Sequence, residues 1–353
     1  MKSSLSSISH AAEGSGDRLL KIWAERYLPD ASFFLLSDQI STAELTKASS
    51  SDARAQTAQK LGRNLYFYSK LAWLRTSDLL SDDPNVANLS EIRFLAQFLS
   101  QVFEKILEVY TWQQPPIPLI KAFSFNQSED QKGAVLTQNL PAIHQLAEEF
   151  KPVLAQLQQQ HVLAKNPDIL GFTTTQFHFS TEEILQRVTP AERLLLSPYF
   201  KFAEEQICIP WQQICAAAHR HQNNGALGFV ERMLAESQAI AQTVCEQILE
   251  SYPTYESRRG KLSQPNVQAS ITRDLVMFQA YLALCILEDS MASVGQKLLP
   301  LCRTVFPKVG VRPAFIKGTL QLLIDEIHIR FLSEDLTIFS EYARRLQAIF
   351  SEG

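Results

Sequence analysis

The chain has 353 residues, 46 % of them hydrophobic and 20 % charged, a balance that excludes disorder and leaves room for two ordinary domains with real cores. A formal net charge of −4 provides no field that would draw in nucleic acid, so that partner class is set aside. Only 12 glycines occur, which suits a helical protein because few of its positions need a positive φ.

Taken in chain order, residues 1–16 are Ser- and Gly-rich, lack the apolar stretch of a signal peptide, and read as a flexible tail. Helical spacing starts at Asp17 and predicts a helix over Arg18–Tyr27, ended by Pro29. Leu35–Ser51 reads as a loop with one short turn. Ser51-Asp52 opens a long helix whose apolar residues Leu61, Leu65, Tyr68, Ala72 and Leu79 recur every three or four positions. Another helix is predicted over Leu89–Trp112, stopped by the prolines between Gln113 and Pro118. After an irregular stretch, a helix over Asn139–Gln160 completes an N-terminal helical domain, residues 17–160.

Residues 161–180 read as a linker, with Thr173–Phe179 as a short extended segment because β-branched and aromatic residues suit one. Ser180-x-x-Glu183 has the form of a capping box and opens the second domain, residues 181–353. Helices are predicted there over Ala191–His219 (bent or divided by Pro198 and Pro210), Ala226–Tyr252, Pro265–Asp289, Val294–Phe306, Pro313–Leu332 and Glu334–Phe350. The fold class is therefore all-α, with two helical domains. The longest apolar run, Leu275–Leu287, is interrupted by Gln279 and is too short to span a bilayer, so no integral membrane protein is expected.

Five cysteines, Cys208, Cys215, Cys245, Cys285 and Cys302, all lie in the second half. An odd count without a C-x-x-C pair argues against a disulfide framework and a zinc ribbon, and for a reducing, cytoplasmic compartment. Cys208 and Cys215, two turns apart on one predicted helix, read as small core residues. His219-x-His221 points to two sides of a helix and has no third ligand at metal spacing. Arg258-Arg259-x-Lys261 is a basic loop cluster that either meets an acidic group or is solvated, and Trp211, Phe229, Phe278 and Tyr281 read as core. No nucleophile elbow, zinc-protease motif, P-loop or dinucleotide fingerprint occurs, and adjacent carboxylates such as Glu204-Glu205 diverge on a helix, so no enzyme is expected.

The second half carries a string of motifs in order: Thr272-Arg273-Asp274-Leu275 followed by Phe278, Tyr281 and Leu284; Pro253 and Gly260 upstream; Leu298-Leu299, Cys302-Arg303 and Phe306, then Gly310 and Pro313; and Ser333-Glu334-Asp335 with Tyr342. Residues 181–353 thereby resemble the phycobiliproteins, the bilin-carrying antenna subunits of cyanobacteria and red algae. The resemblance implies a globin-like bundle with extra N-terminal helices and a central helix from Pro265 to Asp289. It also implies a docking surface around Ala191–Gln213 and Ala226–Glu250. Where the family attaches its bilin through a cysteine, this chain has Ile271, and where basic residues precede that cysteine it has Asn266 and Val267. A thioether needs sulfur, so covalent attachment at that position is excluded.

Arg273 and Asp274 remain at positions that in the family contact the bilin propionate and pyrrole N–H groups, and they are the candidate cofactor-binding residues. The same pair can instead tie the helix to a neighbour. Two functional expectations follow from the resemblance. One is a protein without chromophore that binds phycobiliproteins or another antenna component, in the cytoplasm or at the thylakoid surface, with self-association open. The other is a sensor or carrier that holds a bilin without a covalent bond. An anonymous helical scaffold is the third reading. Gly62-Arg63-Asn64-Leu65 echoes Thr272-Arg273-Asp274-Leu275 and admits a decayed duplication, or only two amphipathic helices that look alike.

Overall fold

Helices account for nearly all the regular structure in the computed structural model, which describes residues 18–19, 22–23, 42–80, 89–112, 146, 149–150, 152–153, 156, 169–220, 225–331 and 333–351. The tail 1–16, the end of the first predicted helix, the stretches 113–145 and 157–168, and His221 lie outside the described residues. In the first half the helices are α1 (Thr42–Ser49), α2 (Ser51–Gly62), α3 (Leu65–Leu80) and α4 (Leu89–Trp112). Then follow α5 (Ile169–Leu185), α6 (Pro190–Cys208), α7 (Trp211–Arg220), α8 (Gly225–Ala235) and α9 (Ser237–Ser251). A two-stranded hairpin, β1 (Glu256–Ser257) and β2 (Gly260–Lys261), leads into α10 (Pro265–Glu288). A π-helical turn at Val294–Leu298 runs into α11 (Leu299–Val305), and α12 (Pro313–Arg330) and α13 (Ser333–Ser351) close the chain.

Local chemistry explains most boundaries. Thr189 caps α6 in a reciprocal box: its hydroxyl accepts from the Glu192 N–H, and the Glu192 carboxylate accepts from the Thr189 N–H. Pro190 follows at the first turn, where a missing N–H costs nothing. Ile209, forced extended by Pro210, ends α6 and separates it from α7. Cys208 and Cys215 therefore sit on different helices, not on one face of a single helix. Pro300 cannot donate to the carbonyl four residues back, and just before it the chain widens into the π turn.

Several sequence expectations are corrected. Thr173–Phe179 is not extended: it lies inside α5. Nor does Ser180 cap a helix; it sits mid-helix with its hydroxyl donating to the Gln176 carbonyl. The true capping box lies nine residues further on, at Thr189. Residues 169–180, read as linker, form most of a helix that packs on α3 from the first half and on α6 and α11 from the second. Its inner face repeats every three or four residues as Leu170, Thr173, Phe177, Ser180, Thr181 and Ile184, all buried. Several hydroxyl side chains can occupy core positions because they return the proton to their own helix, as Thr175 does to Gly171 and Thr76 of α3 does to Ala72. Gly171 is required at the α5–α11 crossing, where an added Cβ would meet the Thr304 side chain at 3.0 Å.

The first long helix is broken at Arg63-Asn64, and Ala226–Tyr252 is broken at Glu236. Arg63 thus lies at a helix break, whereas Arg273 lies within a helix, so the echo between them is not structural. One apolar core runs through both halves, from Leu19 to Leu346. Trp23 stacks on Trp211 with ring centroids 4.7 Å apart, and Phe103 on Phe177 at 4.8 Å. The aromatic set Trp211, Phe229, Phe278 and Tyr281 is buried, as expected. At the centre of the second half stands α10, packed by α7, α8, α9 and α13. By length and composition it could cross a membrane, but most of it is enclosed by the other helices.

Candidate functional site

The first turns of α10 face a cavity of about 210 Å³, walled by α5, the end of α6, the hairpin, α11 and the start of α12. Ile271, Arg273 and Asp274 all line it, so the two candidate residues from the sequence and the position lacking a cysteine share one wall. The body of the cavity is apolar, with Val267, Met277, Leu301, Phe306 and Phe315 among its lining. His178, Arg259, Arg273 and Asp274 line it too, so the cavity offers both apolar contact and polar partners.

These polar groups belong to a network of charges. Arg273 donates from Nη1 to Glu204 Oε1 of α6 at 2.9 Å, and more weakly from Nη2 to its neighbour Asp274 at 3.4 Å. It therefore ties α10 to α6, which was the structural reading of the pair, while also lining the cavity. His178 of α5 faces the same Glu204 oxygen through Nδ1 at 3.0 Å. Its Nε2 lies 2.9 Å from Nη2 of Arg259 and 3.3 Å from Oε1 of Glu182. Arg75 of α3 closes the network with bonds to Glu182 at 2.8 Å and Glu183 at 3.1 Å, its guanidinium 4.1 Å from the Phe179 ring centre.

Burial and charge act against each other here. Burial pushes the Glu204 carboxyl up, but His178 and Arg273 outweigh it and hold it at about 2. Glu182 is also held at about 2, chiefly by the protonated form of the His178 ring, whose Nε2 would donate to it. For Asp274 burial wins over the pull of Arg273, and its carboxyl is raised. Its side chain keeps 29 % exposure, so a ligand N–H within the cavity would find an acceptor there.

The hairpin is the outer wall. Tyr255 anchors its base: the ring stacks on Phe315 at 4.2 Å, and the hydroxyl donates to the Gly310 carbonyl at 3.2 Å while accepting from the Arg312 N–H at 3.0 Å. The Arg258 N–H donates to the Val309 carbonyl at 2.9 Å. Gly260 takes φ +121°, open to glycine alone, and a Cβ there would also collide with the Gln264 side chain. Of the basic loop cluster, Arg258 is exposed and Arg259 half-buried, and both line the cavity.

Cys208 lines the cavity as well. Burial, abetted by nearby carboxylates, pushes its thiol well above the ordinary range despite Arg273, so it is a protonated wall residue rather than a nucleophile. No group of three or more metal-ligating side chains occurs among the described residues.

Sequence reasoning singled out Arg273 and Asp274, and treated the Arg258–Arg259 cluster as one of two things. His178, Glu182 and Glu204 were missed. Glu204 was set aside because its side chain diverges from that of Glu205; it does, and that divergence is what delivers it to the site. His178 lay in the supposed linker, and the signal that would have found it is the three-to-four spacing of α5 once Ser and Thr count as core residues. The chain matches no protein-family model, no curated protein and no solved structure at a significant level.

Proposed function

We propose that the protein is a phycobiliprotein-like module that holds an acid-bearing, mostly apolar organic molecule without a covalent bond. The observation that carries this reading is the cavity itself: it opens beside Arg273 and Asp274, at the place on the central helix where the resemblance puts a bilin. The position of α10 within the second half is what a globin-like bundle requires, and the apolar walls suit a conjugated ring system. Arg258 and Arg259 at the hairpin suit a carboxylate. A linear tetrapyrrole is the ligand class the resemblance implies.

The cavity is smaller than the roughly 300–1,000 Å³ of pockets that engulf a drug-sized ligand. A tetrapyrrole would be gripped at one end, or would enter only as the hairpin gives way. Holding rather than docking is favoured because the surface expected to bind antenna subunits, around Ala191–Gln213, is already packed by α1, α4 and α5 of the same chain. Titrating biliverdin with the full-length protein tests the reading. A shifted visible band with induced circular dichroism, lost in Arg273→Ala, is expected; an unchanged band at protein excess overturns it.

A second reading, a protein partner, rests on a different face. Tyr66, Phe67 and Leu74 of α3 are 79 %, 53 % and 57 % exposed and lie on one flank of the helix. Co-elution with antenna subunits, abolished by Phe67→Glu, would support it.

A further inference from the structure

We propose that His178 is a proton-operated latch on the hairpin that walls the cavity: its neutral ring holds Arg259, and its protonated ring lets Arg259 go. The latch regulates the site proposed above, and its value to the protein rests on that reading, but it is a property of the protein without any ligand.

A guanidinium only donates. The 2.9 Å contact between Arg259 Nη2 and His178 Nε2 is therefore a hydrogen bond only when Nε2 carries a lone pair. The proton must then sit on Nδ1, where Glu204 Oε1 accepts it at 3.0 Å. Adding a second proton places an N–H on Nε2, facing a donor of like charge. The Arg259 bond cannot survive that change. Glu182 Oε1, 3.3 Å from Nε2, stands ready to accept the new N–H. Two discrete arrangements thus exist around one ring, distinguished by a single proton.

The groups that face the ring come from every neighbouring element. Glu182 lies on its own helix, Glu204 on α6, Arg273 and Asp274 on α10, Arg259 on the hairpin, and Arg75 of α3 acts through Glu182. Burial and Arg273 disfavour the imidazolium, but Glu182 and Glu204 outweigh them and raise the pKa above the ordinary 6.5.

The hairpin has two kinds of anchor. On one side Tyr255 and Arg258 bond to backbone groups between Lys308 and Arg312, none of which titrates near neutrality. On the other side Arg259 bonds to His178, with its nearest carboxylate contact, Glu182, at a longer 3.7 Å. Protonation takes Glu182 for the imidazolium and repels the guanidinium, so it frees one side only. A hinge about Tyr255 is what remains, and it would widen a cavity too small for a large ligand.

The test uses the full-length protein without ligand. Imidazole nitrogen shifts measured through the neutral range report the tautomer and titration of His178, and hydrogen exchange over Glu256–Leu262, corrected for intrinsic rates, reports the hairpin. We expect an Nδ1–H tautomer in the neutral form, and hairpin protection that falls severalfold with the same midpoint as the ring. His178→Gln, whose amide can donate to Glu204 and accept from Arg259, should leave the hairpin protected at every pH. Arg259→Ala should leave it unprotected at every pH. Titration of His178 with no change in hairpin exchange overturns the latch, as does an unaltered pH response in either variant. Because exchange is read without ligand, a failure of biliverdin to bind overturns the cavity reading and leaves the latch to be judged on its own.

Discussion

The two halves of α10 obey different rules. From Leu275 to Leu287 every residue is buried, Gln279 included, whereas Ser270 to Asp274 are only half-buried and four of those five positions line a cavity. Gln279 is tolerated because its side-chain amide donates to the Ser237 carbonyl at 3.0 Å and to Leu275 of its own helix at 3.3 Å. The lower half is a core element that holds the bundle together. The upper half is a scaffold whose side chains are spent on charge placement. A single continuous helix thus joins a rigid centre to one wall of the cavity, and the difference teaches that the apolar run mainly anchors the fold, Met277 being the part of it that reaches the cavity.

The largest way to sharpen this contrast is a pair of truncations on the two halves. Leu284→Ala, at 0 % exposure, should lose about 2–5 kcal/mol in urea denaturation. Ser270→Ala should stay within about 0.5 kcal/mol. Equal losses would break the comparison.

Next in size is the ion pair at the boundary between the halves. Arg273→Met leaves Glu204 without its 2.9 Å partner and should destabilise by about 1–3 kcal/mol. Adding Glu204→Gln should recover part of that loss, and a double-mutant cycle measures how much.

The same carboxylates set an acid limb. Glu182 and Glu204 are held at about 2 against an ordinary 4.5. Their stabilisation is complete above about pH 4.5 and drains as the pH falls towards 2, because the unfolded chain takes up protons first. His178 has the opposite sign. With its pKa raised from 6.5, it stabilises fully below that pH and loses the contribution as the pH climbs through the higher folded value. Glu204→Gln should flatten the acid limb in denaturation midpoints measured across pH.

The smallest effect is chemical rather than energetic. Burial pushes the Cys285 thiol up to about 11 from 9.0, which leaves about a hundredfold less thiolate than an ordinary cysteine. Native iodoacetamide labelling should spare Cys285 and Cys208, while Ile271→Cys, in the half-buried upper part of the same helix, should label readily. Protection of all three would mean that the upper half is as closed as the lower.

Much of this molecule was legible in the residues. Helix α4 was located to the residue, α10, α12 and α13 to within a residue or two, and Pro210 was marked as a divider, because proline and helical spacing act locally. Arg273 and Asp274 were singled out, and they do share a cavity wall with Ile271. What escaped were α1, which occupies a stretch expected as loop, and above all α5. Its Thr- and Ser-rich inner face looks polar in sequence, yet hydroxyls such as those of Thr175 and Ser180 satisfy themselves on their own backbone and pack as small core residues. With α5 misread, His178 and the part of the cavity lining that α5 supplies vanished from view.

By itself, then, the sequence determined the all-α class and most helix boundaries, since these depend on neighbours within a turn or two. Tertiary structure alone decided that both halves share one core, and that α5 is their seam. It alone joined Arg75, His178, Glu204, Arg259 and Arg273, drawn from five separate elements, in one charge network beside a cavity. The reason is range: propensity and spacing act over a few residues, whereas a buried charge finds its partner across the whole chain, wherever packing leaves no water to take its place.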